Sequence, residues 1–251
     1  MKRLYEACVF LWLVSMLASC SFSTTKTDEA YVLPQTSGVT VETETLPSQM
    51  PDQTEPIETT VETIPTLPPL PESDDIFVRV ADYIPDCVID LKYAGTDNFT
   101  GAVIYDSDEA WLRYGTVKKL MQVQLELKEM GYGVKLWDGF RPPSAQFKLW
   151  EICPDPTYVS NPNNGFSNHS RGNTVDITLV DESGNEIEMP TGFDDFSALA
   201  DRNYSDCTEV AASNAQMLEE IMEKHGFKGY HGEWWHYTDM DTYEVEHDFV
   251  P

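Results

Sequence analysis

Eight of the sixteen prolines fall between Pro34 and Pro71, interleaved with Thr and Glu as in Thr59-Thr60-Val61-Glu62-Thr63-Ile64-Pro65. Residues 24–73 hold one aromatic side chain, Tyr31, and no cysteine. Such a stretch cannot bury enough apolar area to offset its ordering entropy. Proline and like charges extend it further. A folded unit must therefore be built from the C-terminal part of the chain. Residues 76–251 contain five of the six tryptophans and all five histidines, and their length suits one sizeable core.

Charge narrows the partners. Of the net −27, residues 1–20 contribute +1 and residues 21–75 contribute −10, which leaves −18 on residues 76–251. Phosphate binding needs clustered Lys and Arg, so nucleic acid is excluded as a partner. Docking by charge on anionic lipid is disfavoured for the same reason.

The first twenty residues read as an address. Lys2 and Arg3 precede an apolar run from Ala7 to Leu17, which closes on Leu17-Ala18-Ser19-Cys20. A basic start, a short apolar stretch and small residues before the cut describe an export signal. Cysteine directly after Leu-Ala-Ser resembles the lipobox of bacterial lipoproteins. That resemblance implies cleavage before Cys20 and a diacyl lipid on it. The expected organisation is a signal peptide over 1–19, a tether over 20–75 that holds the domain off the membrane, and a domain over 76–251. Cys8 leaves with the signal. Cys87, Cys153 and Cys207 remain, enough for one disulfide and one thiol, with no spacing that picks the pair.

Within the domain, Val117, Leu120, Val123, Leu127 and Met130 recur at steps of three and four. This predicts a helix from an N-cap at Ser107-Asp108 to Met130, stopped by Gly131. Gly133–Asp138 alternates as a strand, and Pro142-Pro143-Ser144 opens a short helix to about Ile152. Thr174–Val180 alternates again, with Val175, Ile177 and Leu179 on one face and Thr174, Asp176 and Thr178 on the other. A second long helix runs from Thr208 to about His225, and Tyr230 to Thr238 forms a last strand after a turn. The fold class expected is α+β, a mainly antiparallel sheet with flanking helices.

Two short segments concentrate metal-ligand side chains: the run from Ser167 to Asp176, and Glu233-Trp234-Trp235-His236. A hydrolytic zinc site takes three protein ligands and leaves one position open, and His169, Asp176 and His236 are of the right types. Asp176 lies on the polar face of its strand and is aimed out of the core. Gly172 permits the tight turn that brings His169 back beside it. Glu233, three residues before His236, is placed to move a proton. A regular strand puts Glu233 and His236 on opposite faces, so the segment must twist or bulge near Trp234-Trp235. Of the other histidines, His231 is expected behind a ligand or exposed, His225 at a helix terminus and His247 in solvent.

Ser-x-His-x-x-Gly-x-x-x-Asp followed by Glu-Trp-Trp-His resembles the VanX-type D-alanyl-D-alanine dipeptidases, zinc enzymes that share their fold with D-Ala-D-Ala carboxypeptidases and hedgehog-like domains. The resemblance runs over most of 83–240. It includes Asp90-Leu91-Lys92-Tyr93-Ala94, Asp97-Asn98-Phe99-Thr100-Gly101 and Trp137-Asp138-Gly139-Phe140-Arg141-Pro142. It implies one zinc ion on His169, Asp176 and His236, with Glu233 as acid/base and Arg141 steadying the oxyanion. Tyr93 and Asp194 would sit near the substrate ammonium, with Asp195 a competitor for that role. Ser167 would orient the peptide, and Tyr105 would line the cavity. Thr174 stands where the family usually has Ala, so its hydroxyl needs a hydrogen bond.

The activity implied is hydrolysis of D-Ala-D-Ala to two D-alanines. Two alternatives stand beside it: a D,D-carboxypeptidase that trims peptidoglycan-derived peptides, and a non-catalytic wall-binding module with a structural zinc. The lipobox separates this chain from the resistance enzymes, which work in the cytosol. Outside the cytoplasm, the dipeptidase would recover D-alanine from wall-derived dipeptide.

Overall fold

The apolar rows read from the sequence become the two long helices of a computed structural model that describes residues 68–251; the export signal, Cys20 and the tether up to residue 67 lie outside the described residues. The chain runs β1 (Phe77–Arg79), α1 (Val80–Tyr83), β2 (Val88–Ile89), β3 (Trp111–Arg113), α2 (Tyr114–Glu129) and β4 (Tyr132–Asp138). It continues through α3 (Pro143–Ile152), β5 (Thr174–Asp181), α4 (Glu209–Lys224), β6 (Phe227–Tyr230) and β7 (Glu233–Asp239). Five strands form one sheet in the order β2-β4-β5-β7-β6, and β1 pairs with β3 in a separate ribbon. Among the described residues only the β2–β4 pairing is parallel; the other pairings are antiparallel. This is the α+β class with a mainly antiparallel sheet.

On α2, Val117, Leu120, Val123 and Leu127 are fully buried. On α4, Ala211, Ala215, Leu218, Ile221 and Met222 face inward. Helix α2 packs against β4 and α4, and α4 packs against β6 and β7. With Val134, Leu136, Val175, Ile177 and Leu179, all of these helix residues but Ala211 form one core. Thr208 caps α4 by accepting from the Ala211 N–H (3.1 Å), which satisfies one of the unpaired donors of its first turn.

Helix α2 begins at Tyr114, not at Ser107. Ser107 does act as a local cap, its hydroxyl accepting from the Glu109 N–H (3.1 Å), but no helix starts there. Residues 111–113 instead pair with β1, Phe77 opposite Arg113 and Arg79 opposite Trp111. Met130, expected as the last apolar residue of the helix, is half exposed. The strand expected over Tyr230–Thr238 is a hairpin, with the turn at His231-Gly232. The cysteines are not bridged: Cys87, Cys153 and Cys207 are all free thiols. Cys87 is buried in the core, whereas Cys153 ends α3 and Cys207 precedes α4.

Candidate active site

A one-turn 3₁₀ segment, Asn168–Arg171, presents His169. Ser167 opens it by accepting from the His169 N–H (3.4 Å), and Gly172 closes it at φ +75°. That turn is tight as well as left-handed, because a Cβ on Gly172 would come within 2.4 Å of the Phe77 ring. The His169 Nδ1 lies 2.8 Å from the Gly139 carbonyl oxygen. A carbonyl can only accept, so Nδ1 carries the proton and Nε2 keeps its lone pair for a metal.

Asp176 and His236 are cross-strand partners of β5 and β7. His236 Nδ1 stands 3.0 Å from Asp176 Oδ1, and His169 Nε2 stands 3.3 Å from Asp176 Oδ2 and 3.4 Å from His236 Nδ1. One ligand atom from each of the three residues falls within 4.8 Å of the other two. Asp176 Oδ1 is buried and has no aligned hydrogen-bond donor. An orphaned anion at such depth is costly unless a cation answers it. Two imidazoles and one carboxylate whose ligand atoms converge in this way are a donor set that fits a tetrahedral divalent ion with a position to spare. Burial works against charge on Asp176, but the His169 and His236 imidazoles, when protonated, outweigh it and hold the carboxyl below its usual range.

The irregularity required of the last strand is present. Gly229 pairs with Tyr237, but the next residue of β6, Tyr230, pairs with Glu233. Trp234 and Trp235 are then both buried. Glu233 Oε2 arrives 3.4 Å from His236 Nδ1, on the same side of the strand. Burial first, and then the nearby Asp176 charge, raise the Glu233 carboxyl above its usual range against the pull of His236. A carboxyl so placed exchanges protons more readily near neutral pH than a solvated one.

Arg141 is pinned by a fully buried carboxylate. Asp138 Oδ2 accepts from Arg141 Nη2 (2.6 Å) and Nε (3.2 Å), and Gln146 Oε1 accepts from Nη1 (3.2 Å). Three of the five guanidinium N–H groups are thereby used, and one remains on each terminal nitrogen. Sequence reasoning misses Asp138, although it stands three residues before Arg141 in the same motif. Tyr105 is displaced from its expected place. Its hydroxyl donates to Asp138 Oδ1 (2.5 Å) behind Arg141 and does not face the cavity.

The cavity over these groups measures about 360 Å³, and its walls include Tyr93, Arg141, Ser167, Asp194, Glu233 and His236. Pockets for small ligands run from roughly 300 to 1,000 Å³, so this one suits a small substrate. Tyr93 donates its hydroxyl to Asp194 Oδ2 (2.7 Å). Asp194 holds a left-handed backbone, φ +52°. Burial pushes its carboxyl up to about 7. Asp195 is otherwise engaged, accepting from the Ser197 N–H (2.8 Å). Thr174 finds its hydrogen bond across the sheet, at 3.1 Å from the Thr238 hydroxyl. His225 meets Glu126 (2.7 Å), while His231 and His247 are exposed.

Residues 74–250 match the Peptidase_M15 family, D-ala-D-ala dipeptidase. The chain is 38% identical over 160 residues to a D-alanyl-D-alanine dipeptidase of Escherichia coli strain K12, covering 64% of this chain and 82% of that one. It is 33% identical over 172 residues to a D-alanyl-D-alanine dipeptidase of Enterococcus faecalis strain V583, covering 61% and 85%. A solved structure of the vancomycin resistance D,D-pentapeptidase VanY in complex with Zn(II) is a looser likeness. Its TM-score is 0.36, at 15% identity over 55% of this chain and 77% of that one, too low to bear on the site.

Proposed function

The chain belongs to the M15 metallopeptidases of the D-alanyl-D-alanine dipeptidase family, and from that premise we propose that it cleaves D-Ala-D-Ala with one zinc ion, outside the cytoplasm, anchored by a lipid on Cys20. The observation that carries the catalytic part is the convergence of His169, Asp176 and His236 beside Glu233. His169, Asp176 and His236 would hold a zinc ion, which would supply Lewis acidity toward the scissile carbonyl and a lowered water pKa.

The chain's own residues do the rest. Glu233 Oε2 takes the proton of the attacking water and hands it to the leaving amine, a role suited to its raised pKa. Arg141, with Asp138 fixing the plane of its guanidinium, offers its remaining N–H groups to the oxyanion. Asp194, held by Tyr93, receives the substrate ammonium. Ser167 lines the same cavity and orients the peptide.

An ammonium receptor favours the dipeptide over longer wall peptides, because only a short substrate brings a free amine that close to its scissile bond. Support for export and anchoring comes from the sequence alone, from Lys2 and Arg3, the apolar run Ala7 to Leu17 and Leu17-Ala18-Ser19-Cys20. In that location the products feed recovery of D-alanine from wall-derived dipeptide. Turnover of D-Ala-D-Ala against an N-acylated D-Ala-D-Ala peptide tests the substrate. The proposal expects the free dipeptide to be strongly preferred; preference for the acylated peptide would make the protein a carboxypeptidase. Metabolic labelling with a fatty-acid probe tests the anchor, and a Cys20→Ala chain that still takes up label would refute it.

A further inference from the structure

Residues Trp234 to His236 have no partners on β6, because the pairing jumps from Gly229↔Tyr237 to Tyr230↔Glu233. Strand carbonyls left in this way need donors. Both of Arg202's Nη2 bonds go to this gap, one to the Trp234 carbonyl and one to the His236 carbonyl, each at 3.1 Å. Its Nε donates to the Tyr230 carbonyl (2.8 Å), and its backbone N–H donates to that of His231 (3.1 Å). One side chain thus spans both strands of the hairpin at the point where the ladder fails.

The slot is built for it. A Cβ on Gly229 would lie 2.3 Å from the guanidinium carbon. The guanidinium stacks over the Tyr237 ring at 4.5 Å, and Glu219 Oε2 answers its charge at 3.3 Å. We propose that Arg202 is a positioning residue for the reaction: it replaces the missing stretch of β6 and so holds the bulge that turns Glu233 and His236 toward the same ion. This rests on the dipeptidase reading for its kinetic part and on the metal site alone for its binding part. A planar fork is needed, since two carbonyls on one strand and one on the next must be met from a single side chain.

The test uses the full-length protein with Arg202→Met, Arg202→Lys and Gly229→Ala. Zinc affinity is measured by competition with a chromogenic chelator, and kcat and KM are measured on D-Ala-D-Ala. Loss of a group that orients a metal ligand costs about 10–100-fold in metal affinity or activity. Arg202→Met is expected to lose that much in zinc affinity and in kcat, with KM little changed. Arg202→Lys keeps the charge opposite Glu219 and should regain Tm without regaining kcat. Gly229→Ala should reproduce the Met phenotype by expelling the guanidinium, and it carries the test if Arg202→Met does not fold. Wild-type zinc affinity and kcat in either folded variant would overturn the proposal, as would recovery of kcat in step with Tm in Arg202→Lys. Zinc affinity is read without substrate. A wild-type protein that binds zinc but leaves D-Ala-D-Ala intact therefore sinks the dipeptidase reading, while the affinities still decide the role of Arg202.

Discussion

The two histidines reach the metal site by opposite means. His169 sits on a turn defined within six residues, with a serine cap before it and a left-handed glycine after it, and a carbonyl from the Asp-Gly-Phe-Arg motif 30 residues upstream meets its ring. His236 sits on a strand whose local pattern would have turned Glu233 away from it. That strand is distorted by a guanidinium 34 residues upstream and by a glycine on the neighbouring strand. The turn that carries His169 is coded locally, whereas the bulge that carries His236 is coded by tertiary contact. The same contrast separates α4, which starts where its cap says, from α2, whose cap signal at Ser107 loses to strand pairing.

The largest effect belongs to the second half. Glu233→Gln should lower kcat by at least ~10²-fold while zinc remains bound, because the amide keeps the size of the side chain and loses its proton chemistry. Metal analysis beside steady-state kinetics checks this; near-normal kcat would remove Glu233 from the reaction.

Next comes the turn of His169. Gly172→Ala forces a side chain into φ +75° and against the Phe77 ring. The backbone strain alone costs about 1–2 kcal/mol, and the collision adds to it. Thermal unfolding should show a clear fall in Tm, with weaker zinc binding because the ring of His169 moves with the turn.

Asp194 gives a pH test of the cavity. Its folded pKa of about 7 lies above its ordinary 3.8, so between those values the folded chain holds a proton that the unfolded chain lacks. The stability contribution is therefore present at low pH and lost as pH rises toward 7. In zinc-free protein, Asp194→Asn should remove that slope and raise stability at pH 8 by on the order of 1 kcal/mol, a value discounted for partial solvent access. The same variant should raise KM for D-Ala-D-Ala, since the amide no longer pairs with an ammonium. A variant less stable at pH 8, or one with unchanged KM, would speak against the assignment.

The smallest effect is expected at Ser167→Ala. Loss of one cap at 3.4 Å should cost about 0.5–1 kcal/mol, and any further loss in KM would measure the serine's contact with the peptide.

The same contrast decides how much of the molecule is legible in its sequence. Ligand types, the polar face of β5 and the glycine turn are short-range patterns, and they are readable from the residues themselves. The need for a bulge at Trp234-Trp235 is also legible, from the parity of a strand. Its cause is not, because nothing near residue 202 marks an arginine that bonds to carbonyls of another segment. Asp138 escapes notice although it lies three residues from Arg141, since its function depends on burial. Tyr105 is misplaced for the converse reason: a motif fixes a residue's neighbourhood but not which way its hydroxyl turns.

Chelated full-length protein titrated with zinc, with D-Ala-D-Ala turnover followed at each addition, puts the metal, the substrate and the stoichiometry into one curve. Activity should rise linearly and level off at one equivalent in the wild type, with no rise in His236→Ala. Turnover that survives chelation, or that climbs beyond one equivalent, would contradict a single catalytic ion on His169, Asp176 and His236.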